Sequence, residues 1–128
     1  MLAAANRLGD AASFREVTRQ GRRAASRSLV VYVQVGRTPD TERATSDQPM
    51  IGLVVSRAIG NAVVRTRVKR RLRHLMRERV ALLPPCSRVV VRALPGAAQL
   101  SSAALSQELE QCMGRALTKA LATAGDGS

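Results

Sequence analysis

Hydrophobic and polar positions recur along this chain with two different periods, and the switches between them mark its elements. From Ser28 to Val35 the period is two. Leu29, Val31, Val33 and Val35 fall on one face, and Ser28, Val30, Tyr32 and Gln34 on the other. The first set predicts a strand face turned into a core. Met50 to Arg57 repeats the pattern, with Ile51, Leu53 and Val55 inward. Arg88 to Ala93 repeats it again, with Val89, Val91 and Ala93 on one side and Arg88, Val90 and Arg92 on the other. Elsewhere the period is that of a helix. Asp10 predicts the N-cap of a helix over 11–20, with Phe14 and Val17 inward and Gly21 ending it. Asn61 predicts the N-cap of a helix of about five turns, running to Leu82 or Leu83. Pro84 and Pro85 stop it. Ser101 or Ser102 caps a last helix, whose stripe is Leu105, Leu109, Cys112, Ala116, Leu117 and Ala120.

Between these elements, residues 36–49 are polar and rich in turn formers, which predicts a mobile loop joining two antiparallel strands. Residues 122–128 read as a disordered tail. No repeat or linker divides the chain, so a single domain over 1–121 is expected. Helix, strands, helix, strand, helix is the order of a small α/β (α+β) sandwich, one sheet packed on helices.

The helix that starts at Asn61 changes the picture. On a wheel, Val64, Val68, Leu72 and Leu75 lie within about 80° of one another, with Met76 beside them. Arg67, Lys69, Arg70, Arg71, Arg73 and Arg77 take the opposite arc, with His74 among them and Arg65 at the border. Arg79 falls near the apolar stripe, close enough to the helix end to snorkel outward. The only acid is Glu78. A solvated helix face normally mixes signs and gains i,i+4 pairs. Here neighbouring cations repel, which is tolerable if phosphates lie across the face.

Composition points the same way. Lys plus Arg is 21 against 9 Asp plus Glu, a formal net charge of +12. Lys69 and Lys119 are the only lysines. Guanidinium groups fork onto phosphate and stack on bases. A nucleic acid is the simplest compensating partner.

Other classes lose support. Cys86 and Cys112 form no CxxC and His74 is the only histidine, so a zinc site is not expected. Two thiols in a reducing cytoplasm are the plainer reading. No apolar run approaches the ~20 residues that span a bilayer. Met1 to Arg7 lacks a signal-peptide core, so a cytoplasmic protein without a membrane partner is expected. A strand precedes the arginine helix, which weighs against a helix-turn-helix and DNA. Phe14 and Tyr32 are too few aromatics for an RRM sheet. No carboxylate pair, Ser/His/Asp set or phosphate-cradling glycine loop is present, so no catalytic residue is assigned.

The residues Gly52 to Arg73, GLVVSRAIGNAVVRTRVKRRLR, resemble the signature of the bacterial ribonuclease P protein family. Its hallmark is a Gly-Asn-Ala-Val turn followed by Arg-Asn-Arg-x-Lys-Arg-x-x-Arg. Gly60 to Val63, then Arg65, Arg67, Lys69, Arg70 and Arg73, match it. Thr66 stands where the hallmark has asparagine. Arg7-Leu8, Phe14, Val17 and Gly21 resemble the family's opening helix, and the resemblance covers roughly residues 7–120.

The resemblance implies an αβββαβα fold of the ribosomal protein S5 domain 2-like class. Its sheet has about four strands, one of them short and before Ser28. It implies a subunit of a ribonucleoprotein endoribonuclease whose RNA is the catalyst. That enzyme uses Mg²⁺ and removes the 5′ leader of precursor tRNA. Arg57, Asn61, Arg65, Arg67, Lys69, Arg70 and Arg73 would contact the catalytic RNA. Phe14 and Tyr32, with Arg88 and Arg92 adding charge, would line a cleft for the leader. The protein motif itself would hold no cofactor. The main alternative is a non-catalytic RNA chaperone or ribosomal-type RNA-binding protein. A DNA-binding regulator and a protein-only nuclease are the remaining rivals.

Overall fold

The structure, a computed structural model, describes Leu8 and residues 11–35, 49–84 and 86–126. Its elements are α1 (Ala11–Gln20), β1 (Arg22–Ala25), β2 (Leu29–Gln34), β3 (Met50–Val55), α2 (Ala62–Arg79), β4 (Arg88–Ala93) and α3 (Ser102–Asp126). Short 3₁₀ turns lie at Arg57–Ile59, Val80–Leu82 and Pro95–Gln99. This is the αβββαβα order, with the short extra strand in place before Ser28. The Asp10 cap, the loop 36–48 and residues 127–128 lie outside the described residues.

The four strands form one sheet in the order β1-β2-β4-β3. β1 and β2 pair antiparallel, as do β2 and β4, whereas β3 runs parallel to β4. The strands that flank segment 36–49 therefore do not pair with each other. β4 lies between them, because the β3–α2–β4 crossover returns the chain to the centre of the sheet.

The alternation read from the sequence sorts side chains onto the two sheet faces. Leu29, Val31, Val33, Ile51, Val89, Val91 and Ala93 are buried with α2 and α3 in the main core. The opposite face carries a second cluster, in which Leu8, Val17 and Val90 are buried and Phe14, Tyr32, Met50 and Val54 pack around them. Among the described residues, α1 covers this face of the sheet, against β2 and β4, with Leu8 beside it.

Ser28 departs from the alternation. It precedes the regular strand, so the period of two does not bind it. Its Oγ donates to Glu108 Oε1 on α3 at 2.5 Å, and Ser26 Oγ donates to the same oxygen at 2.7 Å. The Ser28 and Ser26 hydroxyls hold the Glu108 carboxyl below its ordinary value of 4.5. A carboxyl lowered in the folded state stabilises it fully above the unfolded value and loses that stabilisation as pH falls through the folded value. Stability measured from pH 7 down to 3 is therefore expected to fall less steeply for Glu108→Gln than for the parent on the acid side. Parallel curves would show the clip to be silent. Near this clip, Arg115 donates to Ala25 O and Lys119 Nζ to Arg23 O, both at 3.1 Å, so α3 covers the carbonyls of the β1 edge.

α3 keeps helical backbone to Asp126, past the expected start of a disordered tail at 122. Residues 120–124 read Ala-Leu-Ala-Thr-Ala, and alanine is the best helix former. At its start Ser101 Oγ accepts from Ala104 N at 3.1 Å, which makes Ser101 the cap. Cys112 is buried in the core and Cys86 is half-buried; both are thiols.

Candidate RNA interface

Two features carry the site, and each follows from local sequence. The first is α2. Gly60 sits at φ 153°, a backbone region that side chains rarely adopt, and a Cβ there would meet Val64 at 3.1 Å. The turn delivers Asn61 to the helix start, where its Oδ1 accepts from Val64 N at 3.0 Å. Val68, Leu72, Leu75 and Met76 are buried, so the apolar stripe fixes the rotation of the helix.

That rotation divides the cations. Arg67 and Arg70 are exposed, and with Ala62, Val63, Thr66 and Arg71 they line an outward hollow of about 540 Å³. Lys69 and Arg73 lie on the other flank. They line a basin of about 160 Å³ with Leu8, Phe14, Ile51, Gly52 and Leu53, at the β3 edge of the sheet. Arg77 is exposed, and Arg57 is exposed on the 3₁₀ turn before α2. Arg65 is half-buried, and its Nε has no hydrogen-bond partner among the described residues. His74 is exposed, with Nε2 3.6 Å from Glu78 Oε1.

Two arginines of the helix have structural work. Arg71 donates to Leu100 O at 3.1 Å, and Arg79 donates to Leu75 O and to Ser106 Oγ, both at 2.9 Å. Arg79 is half-buried and ties α2 to α3. Leu100 and Ser106 stand 29 and 27 residues away from the arginines they accept from, and periodicity carries no sign of them.

The second feature is a groove of about 210 Å³ between α1 and the sheet, lined by Phe14, Arg15, Thr18, Tyr32, Val54, Val90 and Arg92. Strand register explains the lining. Tyr32, Val90 and Gly52 lie side by side in one row across β2, β4 and β3, and Val30, Arg92 and Val54 in the next. Phe14 belongs to both the groove and the basin, so its ring is their shared wall. The ring lies where a side chain at residue 52 would be: a Cβ on Gly52 would stand 2.4 Å from Phe14 Cζ. Gly52→Ala is expected to push the ring off the sheet and cost about 1–3 kcal/mol, the usual range for overpacking. Denaturant unfolding checks this, and Phe14→Leu should recover part of the loss.

Arg88 is on the same sheet face, but its guanidinium is paired with Glu16 of α1, and neither side chain is more than 19% exposed. It fastens α1 to the sheet and does not line the groove. Phe14, Tyr32 and Arg92 therefore come together, while Arg88 stands behind them. Arg15 and Thr18, absent from the sequence-based expectation, join the groove because they follow Phe14 on the same helix.

Among the described residues no group of three or more His, Cys, Asp or Glu side chains gathers to hold a metal ion. No described helix is long and apolar enough to cross a membrane.

An arginine-dense helix with Glu78 as its one acid, together with an aromatic groove with cationic rims, defines an α+β RNA-binding protein. The comparisons narrow the class. The sequence model of the family described as Ribonuclease P matches residues 2–117. The ribonuclease P protein component of a Nocardioides species is 54% identical over 113 residues, covering 88% of this chain and 92% of that protein. That of Streptomyces avermitilis is 51% identical over 118 residues, covering 91% and 96%. The solved structure of the Staphylococcus aureus RNase P protein superposes with a TM-score of 0.74 at 25% identity, over 87% of this chain and 94% of that one. The chain belongs to the ribonuclease P protein family. It is a subunit of an endoribonuclease that assists the enzyme's RNA in maturing the 5′ end of precursor tRNA.

Proposed function

We propose that the outer face of α2 docks on the catalytic RNA and that the α1–sheet groove holds the single-stranded 5′ leader of precursor tRNA. The observation that carries this reading is the joint placement of Phe14, Tyr32 and Arg92 around one groove, whose Phe14 wall also bounds the basin lined by Lys69 and Arg73 of the arginine-dense helix. Single strands are held by cationic grooves with aromatic platforms, because every base has a face to stack. Arg67 and Arg70 supply phosphate contacts to the catalytic RNA. Arg57, Asn61, Arg65, Lys69 and Arg73 contribute from the turn and the two flanks. Arg92 neutralises the leader, and Tyr32 and Phe14 stack on it.

On this reading the chemistry belongs to the RNA and its Mg²⁺, and the protein acts by position and charge. Cations set between two polyanions screen their repulsion, which lowers the Mg²⁺ needed for assembly and cleavage. The setting is the cytoplasm, and structured RNA is preferred over duplex DNA.

The test is precursor-tRNA cleavage at low Mg²⁺ with the matching catalytic RNA. No protein, the parent and Arg67→Ala/Arg70→Ala are compared. Strong stimulation by the parent and little by the variant is expected. RNA binding without stimulation would support the chaperone or ribosomal-type alternative instead.

A further inference from the structure

Val63 is 74% exposed, on the first turn of α2. Its neighbour Val64 turns inward against Gly60, so the core does not require an apolar residue at 63. Helix formation does not favour it either, since a β-branched side chain loses χ1 freedom that alanine never had. A single exposed valine is ordinary on a protein surface. This one shares a hollow with Ala62 and Thr66, and the other side chains around it are Arg67, Arg70 and Arg71. Arg71 is held in place by Leu100 O, so one wall is set before any ligand arrives. An apolar floor inside an arginine rim suits one kind of group: a flat, apolar-faced ring attached to a phosphate.

From this we infer that Val63 receives an unpaired base of the partner RNA, its face on the valine methyls and its flanking phosphates on Arg67 and Arg70. The inference rests on reading α2 as the RNA-binding face. The base must be unpaired, because a paired base in an A-form helix hides its faces in the stack and its edges in a deep, narrow major groove. An apolar segment of a protein would not call for three guanidinium groups around it. Thr66 lines the same hollow, and its hydroxyl is both a donor and an acceptor for a base edge. Threonine at this position is then compatible with base contact, although the family hallmark has asparagine.

The experiment measures affinity of the full chain for the matching catalytic RNA across a salt series. Val63→Ala, Val63→Lys and Arg67→Ala/Arg70→Ala are compared with the parent. Val63→Ala is expected to bind about five- to tenfold more weakly, from the apolar area removed. The slope of log affinity against log salt should stay unchanged, because no counterion is released by a methyl contact. Val63→Lys separates the inference from plain electrostatics: an added cation should tighten binding to a featureless charged face, whereas a blocked base site weakens it. Alanine favours the helix, so the thermal midpoint of Val63→Ala should not fall.

Unchanged affinity for Val63→Ala, or tighter binding with a steeper slope for Val63→Lys, overturns the inference. The arginine variant separates the two levels. If it loses affinity while Val63→Ala does not, the base site alone is wrong. If neither loses affinity, the RNA face of α2 is wrong as well.

Discussion

Replacing Arg67 and Arg70 together by glutamate is expected to weaken binding of the catalytic RNA by about a hundredfold or more at physiological salt. Each arginine that meets a phosphate makes charge-assisted hydrogen bonds worth about 1.5–3 kcal/mol, and two of them at about 1.4 kcal/mol per decade set the lower bound. Glutamate also places a repulsive charge where the phosphate would lie. The same substitutions should flatten the salt dependence, since each lost phosphate contact removes about 0.7–0.9 from the log–log slope. Both side chains are exposed, on the arc opposite the buried Val68, Leu72, Leu75 and Met76. The fold should therefore survive. Relief of like-charge crowding around Lys69, Arg71 and Arg73 should, if anything, stabilise the helix. A filter-binding titration at several salt concentrations reads affinity and slope together. An unchanged slope with weakened binding would mean that these arginines act on the protein and not on phosphate.

That expectation depends on knowing which arginines face outward, and here sequence and structure divide the labour. The wheel separates Val64, Val68, Leu72 and Leu75 from the cations because a helix has one period, and the whole periodic pattern is local. β4 was legible for the same reason, since Arg88 and Arg92 alternate with Val89, Val91 and Ala93, with Val90 as the one apolar residue on the arginine side. Asn61 as cap and Gly60 before it were legible from residue type. The relation between elements was not. The strands around segment 36–49 do run antiparallel, as expected, but nothing local says that β4 inserts between β2 and β3 and keeps them from being neighbours.

The site divides in the same way. Strand alternation sends Tyr32 and Arg92 to the face away from the main core, and only the family resemblance implied a groove on that face. Arg88 alternates identically, yet its partner Glu16 lies 72 residues away and takes it out of the groove. Arg71 looks like a member of the cationic arc and Arg79 like a cation at the edge of the apolar stripe, and only the packing of the Leu100 turn and of α3 shows that they bind backbone and Ser106. Gly52 leaves room for the Phe14 ring, a contact that its place in the strand does not announce. Period and residue type report what a segment does by itself. A polar contact between distant segments leaves no such trace.

The Glu16–Arg88 pair is where one of those unreadable contacts should matter most. Glu16→Ala leaves the Arg88 guanidinium, on a residue only 9% exposed, without its carboxylate. Losing one partner of a buried pair strands the other charge, a cost of about 3–5 kcal/mol when burial is complete. With both side chains retaining some contact with water, about 2–3 kcal/mol is expected, a fall in Tm of roughly 10 °C for a chain of this size. Removing both charges should cost far less than removing one. Glu16→Leu/Arg88→Met replaces the pair by apolar groups of similar length and leaves no stranded charge. The pair also fixes the distance between α1 and the sheet, and with it the wall that Phe14 gives the groove. Glu16→Ala should therefore weaken binding of precursor tRNA with a leader more than binding of mature tRNA, while affinity for the catalytic RNA through α2 holds. The reversed pair, Glu16→Arg/Arg88→Glu, should restore leader discrimination in part. If stability falls but discrimination between leader-bearing and mature tRNA is untouched, the pair serves the fold alone and the groove is not set by α1.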